Sequence, residues 1–171
     1  FFDRWAGLRQ LVSAVLKGVA LVGGVELAAT ADLRVAEVHA TVGLPEARIG
    51  VLPGWSGTQR LVRRCGPQAV RRLVLTGDPL DAEEALRLGL VDVVCPREEG
   101  IGRARALAAT IAERAPIGVQ LAKQLIAAAE GEERLEATLE TLAGALAATT
   151  ADLREGVASF HERRAPAFTN R

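Results

Sequence analysis

The chain has 171 residues, nearly half of them apolar and a quarter charged, which is enough for one globular domain with a sizeable core. Its 21 acidic and 21 basic side chains cancel, so no overall basic field argues for nucleic acid and no acidic tail is present. No apolar run reaches the roughly 18 residues of a spanning helix, so no membrane partner is expected.

The opening Phe1-Phe2-Asp3-Arg4-Trp5 has no basic segment followed by an apolar one, and does not read as a signal peptide. It also has no initiator Met, and the chain is expected to begin inside a longer protein. A short helix through Arg9 and a buried strand near Val12–Leu16 come first. Gly23 and Gly24 then punctuate the chain, and the small-residue stretch from Val25 to Asp32 reads as a helix. Leu33–Ala36 and His39–Val42 read as strands, because β-branched residues favour the pleated state.

Pro45 suits the first turn of a helix, and Glu46 suits its positive end. The stretch 51–57 is a loop rich in breakers. Thr58–Cys65 reads as a helix capped by Gly66, and Pro67 opens a second one running to Leu75. Asp81 is placed as the N-cap of Ala82–Leu88, with Glu84 at the capping-box position. Leu90–Val94 reads as a strand. Four Ala- and Leu-rich helical segments follow, at 103–114, 116–129, 132–149 and 152–164, with a tail after them. The organisation is therefore an α/β part over residues 1–96 and a helical part over 97–171. About four strands do not cover both faces of a parallel sheet, so further strands are expected upstream.

Three features carry chemistry. A glycine pair ahead of a helix can aim backbone N–H groups into open space, where they could hold a phosphate or a developing oxyanion; it could equally be a tight turn. It is neither a dinucleotide fingerprint nor a P-loop, because G-x-G-x-x-G and Gly-Lys-Ser/Thr are both absent. Glu26 lies among Val25, Leu27, Ala28 and Ala29, a setting that desolvates a carboxylate and suits acid/base work, although an ordinary surface glutamate fits the same spacing. Glu46 is either a second such carboxylate or a helix-start cap. Cys65 and Cys95 have no metal-ligand spacing and read as small free thiols rather than a disulfide or a metal site. His39 and His161 read as non-chemical, and the arginine pairs as solvated helix faces.

Four blocks in order carry a family resemblance. Lys17 to Asp32 is similar to N-G-x-A-x-G-G-G-x-E-L-A-x-x-x-D, and Val42 to Leu61 to F-x-x-P-E-x-x-x-G-x-x-P-x-x-G-G-T-Q-R-L. Leu75-Thr76-Gly77-Asp78 with Ala82, Ala85 and Gly89-Leu90-Val91 matches a third block. Glu155 to Phe168 is similar to the ending E-G-x-x-A-F-x-E-K-R-x-P-x-F. Together they resemble the crotonase (enoyl-CoA hydratase/isomerase) family.

The resemblance implies an α/β fold with a ClpP/crotonase-type core lacking its N-terminal strands, followed by a C-terminal helical region that builds trimers or hexamers. It implies an acyl-CoA thioester partner with no separate cofactor, since coenzyme A is part of the substrate; separately, the high Ala and Arg content with no targeting signal points to a bacterial cytoplasm. The resemblance assigns one oxyanion donor to Gly23 and the two acid/base groups to Glu26 and Glu46. Val22, Gly24, Pro45 and Trp55 fall where substrate would be lined. Keeping both glutamates favours syn hydration of a trans-2-enoyl-CoA. Isomerisation, thioester hydrolysis, decarboxylation and a non-catalytic oligomerising remnant are the alternatives. The chain departs from the pattern at Val22, where the family has glycine, and at Lys17, where it has asparagine. The other oxyanion donor belongs to an A-G-x-D loop expected before Phe1.

Overall fold

A computed structural model describes residues 2–49, 53–55, 57–129, 149–169 and 171. Two compact units are found, Phe1–Ala108 and Ala109–Arg171.

In the first unit a short helix α1 (Phe2–Ala6) precedes β1 (Ser13–Leu16) and β2 (Val19–Leu21). Helix α2 (Gly23–Ala28), β3 (Leu33–Glu37), β4 (Thr41–Gly43) and a 3-10 helix (Pro45–Ile49) follow. Then come α3 (Gly57–Thr76), β5 (Leu80–Asp81), α4 (Ala82–Arg87), β6 (Val93–Cys95) and the start of α5 (Gly100–Ala112). The strands form two three-stranded sheets. One is parallel throughout in the order β1-β3-β6. The other, β2-β4-β5, pairs β2 with β4 in parallel and β4 with β5 antiparallel. The sequence pattern suggested about four strands; six are present among the described residues, because very short runs such as Val19–Leu21 and Leu80–Asp81 give too few residues for a readable period.

Side-chain bonds explain several element ends. Helix α2 stops at Ala28, short of the expected Asp32. Thr30 Oγ1 donates to the Leu27 carbonyl at 2.7 Å, and Asp32 Oδ2 instead accepts from the Val12 N–H at 2.7 Å. Asp32 thereby ties the entry of β1 to the start of β3. The final strand starts at Val93 rather than Leu90. Leu90 and Val91 are buried as a turn, and the Asp92 carboxylate grips both the N–H and the guanidinium of Arg34 on β3. Burial pulls the Arg34 guanidinium below its ordinary basicity, and Asp92 opposes that pull. The expected break at Gly66-Pro67 is present as a kink inside α3, with Gly66 at φ 79°. Asp81 caps α4, its Oδ1 accepting from the Glu84 N–H at 2.8 Å.

The core of this unit joins Leu16, Val42, Leu44, Leu61, Leu73, Leu80 and Val91. Each fully buried leucine contributes about 2 kcal/mol by removal from water. Elements α2 and the 3-10 helix both pack on α3, and that arrangement brings their carboxylates to one helix.

The second unit holds the end of α5, then α6 (Pro116–Ala129) and α7 (Ala151–Glu162). Most of the expected 132–149 helix lies outside the described residues. The segment after α7 is not a loose tail. Asp152 Oδ1 accepts from the Thr169 N–H at 2.6 Å, and Glu155 accepts from the Ala167 N–H at 2.8 Å. The Phe168 ring lies over Gly156, within van der Waals reach of where a Cβ would sit. Among the described residues no helix is long and apolar enough to cross a membrane.

Candidate active site

The turn from β2 into α2 is built on Val22. Its N–H donates to the Gly43 carbonyl at 3.1 Å, and its own carbonyl accepts from Val25 N at 3.0 Å and Glu26 N at 3.2 Å. Its backbone lies at φ 55°, ψ −127°, a region that β-branched residues rarely enter. The positive φ thus falls on Val22, the position where the family pattern has glycine. Such a conformation costs on the order of 1–3 kcal/mol and persists only where surrounding bonds impose it. Gly23 is needed for a different reason. A side chain there would run into the six-membered ring of Trp55. As the first residues of a helix, Gly23 and Gly24 carry N–H groups that helix geometry leaves without an internal partner.

Glu26 points inward and is only 1% exposed. Its Oε1 accepts two backbone N–H bonds, from Trp55 at 2.8 Å and from Gly57 at 3.0 Å. The carboxylate is therefore fixed against the loop entering α3. Gly57 must be glycine for this to happen, because a methyl group there would overlap the Glu26 side chain. The role of Gly57 was legible only as one letter of the G-T-Q-R-L block. What makes it necessary is the approach of a carboxylate from 31 residues away.

Glu46 sits in the first turn of the 3-10 helix and is 2% exposed. Both of its carboxylate oxygens are buried without a hydrogen-bond partner among the described residues. The expectation of a surface or capping glutamate is thus set aside at both positions. Buried polar atoms are paired in the great majority of cases, so an orphaned carboxylate is a candidate functional group.

The remaining expected site residues divide. Gly24 is exposed and has open space around its Cα, while Pro45 is half-buried at the start of the 3-10 helix. Trp55 packs on Gly23, yet its residue remains 60% exposed. Val22 is exposed beside it. The structure thus gathers Gly23, Glu26, Trp55 and Gly57 into one contact group, with Glu46 on the other element that packs on α3. Arg48 pairs with Asp78 across Gly77.

Other ionisable groups have structural work. Glu37, 1% exposed, was not singled out by sequence. It holds the turn into α5, and the N–H groups of Glu98 and Gly100 pull its carboxyl below the ordinary range. His39 lies 3.8 Å from it. Both cysteines are free thiols: Cys65 donates to the Leu61 carbonyl, and burial pushes both thiols up.

Comparison with known proteins places this arrangement. The family model described as enoyl-CoA hydratase/isomerase matches residues 2–171. A probable enoyl-CoA hydratase of Mycobacterium bovis is 41% identical over all of this chain and 68% of its own length. The 2,3-dehydroadipyl-CoA hydratase of Escherichia coli is 38% identical over 98% of this chain and 67% of its own. The solved enoyl-CoA hydratase of Bacillus anthracis superposes with a TM-score of 0.95 at 34% identity, covering 99% of this chain and 66% of that one. The chain thus spans about two thirds of the length of the relatives it matches. On the family match and on its crotonase fold, the chain belongs to the enoyl-CoA hydratase/isomerase family.

Proposed function

We propose that the protein hydrates a trans-2-enoyl-CoA by syn addition of water. The observation that carries this reading is the pair of buried carboxylates, one fixed and one unpartnered: Glu26, held through Oε1, and Glu46, with both oxygens open. An isomerisation needs one group to move a proton, whereas hydration has use for two carboxylates, one toward water and one toward carbon.

In this reading the thioester carbonyl oxygen accepts from the Gly23 N–H, one of two donors to the oxyanion. Glu26 takes a proton from water as its oxygen bonds to Cβ. The π electrons shift to an enolate held at the oxyanion donors. Glu46, acting as the acid in its protonated form, then delivers its proton to Cα on the same face, the enolate collapses to the 3-hydroxyacyl thioester, and the proton that Glu26 took from water passes to Glu46 to reset the pair. With Oε1 of Glu26 committed to Trp55 and Gly57, Oε2 is the oxygen left to meet water. The Gly57 contact fixes the direction of that oxygen, and positioning of this kind is worth orders of magnitude in rate. Assembly into trimers or hexamers is part of the same proposal and is read by light scattering of the purified protein.

The test is hydration of crotonyl-CoA, followed by loss of the conjugated thioester absorbance and by identification of the product. Glu46→Gln is expected to lower kcat by about 10²- to 10⁴-fold, the usual contribution of a positioned acid or base. Turnover unchanged in that variant removes the mechanism. A shifted double bond in place of the hydroxyl would make the protein an isomerase.

A further inference from the structure

Glu46 has no hydrogen bond of its own among the described residues, so its placement depends on the 3-10 helix that carries it (Pro45–Ile49). Five residues of 3-10 helix hold themselves poorly, because the bonds are few and their geometry is poor. One end of the element is anchored by Leu44, which is fully buried in the core. The other end carries Arg48, whose side chain crosses to the turn that follows α3. The stem lies on Gly77: a Cβ there would come within 2.9, 3.3 and 3.1 Å of Arg48 Cγ, Cδ and Nε. The guanidinium Nη2 donates to Asp78 Oδ1.

That seat is itself fixed. Gly77 lies at φ 68°, and its N–H donates to the Leu73 carbonyl at 3.1 Å. The Asp78 N–H donates to Thr76 Oγ1 at 3.0 Å, and the Thr76 hydroxyl donates to the Arg72 carbonyl at 2.7 Å. Asp78 is therefore tied to the end of α3, the same helix on which α2 and the 3-10 helix pack. Arg48 thus links the element that bears Glu46 to the helix that gives both carboxylates their common frame. An exposed ion pair adds little to stability. Alignment of a reacting group is a different matter, because a displacement of about 1 Å can lower the rate by as much as 10²-fold.

We infer that Arg48 is a positioning residue for Glu46, acting through the 3-10 helix, with Gly77 and Asp78 as its seat. The inference rests on the reading of Glu46 as the acid that protonates Cα. Without the link, Glu46 loses its alignment while the acyl-CoA is still bound. The expected signature is a fall in kcat with KM unchanged.

The experiment measures kcat and KM for crotonyl-CoA in the wild type, Arg48→Ala, Asp78→Ala, the double variant and Arg48→Lys. Each alanine variant should lose about tenfold in kcat, with KM within about twofold of wild type. The double variant should also lose about tenfold rather than a hundredfold, because both changes remove one and the same link. Arg48→Lys, which keeps a cation for Asp78, should recover most of the rate. The melting temperature should differ little among the five proteins, which separates lost alignment from lost folding. Unchanged kcat in Arg48→Ala overturns the inference. So does a raised KM with kcat unchanged, which would make Arg48 a contact for the substrate's phosphates, and so does an additive, hundredfold loss in the double variant. All three leave the hydratase reading intact. A wild type that does not hydrate crotonyl-CoA overturns that reading first, and this inference with it.

Discussion

Two carboxylates that are equally hidden from water show how differently the two units use burial. Asp152 in the helical unit is 1% exposed and spends its oxygen on the N–H and hydroxyl of Thr169, pinning the last residues along α7. Glu46 in the α/β unit is 2% exposed and makes no such bond among the described residues. Placing a carboxylate away from water is unfavourable in both cases. In the first the cost is offset within the fold. In the second it is left standing. Burial alone therefore does not separate these two carboxylates; the satisfaction of their oxygens does. Glu26 falls between them, with one oxygen fixed by the fold.

Substitutions at these positions break or sharpen that contrast. Glu46→Gln is expected to have the largest effect on rate and the smallest on stability, since the replaced oxygens hold no hydrogen bond among the described residues that the amide would break. Thermal unfolding should move by less than about 1 kcal/mol, and a large loss of stability would make Glu46 structural after all. Asp152→Ala should show the reverse. Leaving the Thr169 donors without their acceptor should destabilise the protein by about 1–3 kcal/mol, read as a lower midpoint in denaturant, while the α/β unit keeps its carboxylates in place.

Gly57→Ala tests both properties together. The added methyl displaces Glu26, so activity should fall by about tenfold or more and stability by about 1–3 kcal/mol. Full activity would show that Glu26 need not be held where it is. Val22→Gly should raise stability modestly, by up to about 1 kcal/mol. Relief of the positive φ is partly cancelled by the greater freedom of glycine in the unfolded chain. A lower melting temperature would mean that the Val22 side chain contributes more than its backbone costs.

The smallest effect is on pH dependence in the second unit. The side-chain bond from Arg164, with the Ala167 N–H, holds the Glu155 carboxyl at about 2, below its ordinary 4.5. A carboxylate held lower in the folded state contributes stability above its unfolded value, and that contribution is lost as pH falls toward the folded value. The difference in melting temperature between wild type and Glu155→Gln should therefore be constant above about pH 5 and shrink toward pH 2. A difference that does not change across that window would show that the Arg164 pairing does not matter to the fold.

Much of this molecule can be read from the order of its residues. Gly66-Pro67 specifies a break in α3, and Asp81 with Glu84 specifies the start of α4, because turn and cap chemistry act over three or four residues. The four ordered blocks carry the family. The strands β2 and β5 were not legible, since their partners lie far along the chain and their periods are too short to detect.

At the site, the sequence determined which residue types are available: a glycine turn, two glutamates and an aromatic loop. It left each glutamate as a choice between acid/base group and surface charge. Tertiary structure removed the surface option by burying both. Only the folded chain brings the N–H groups of Trp55 and Gly57 to one oxygen of Glu26, places the strained backbone at Val22, and buries Glu46 with no hydrogen-bond partner among the described residues. The physical reason is one of range. Local chemistry sets conformation over a few residues, whereas desolvation and hydrogen-bond satisfaction depend on groups delivered from 29 and 31 residues away.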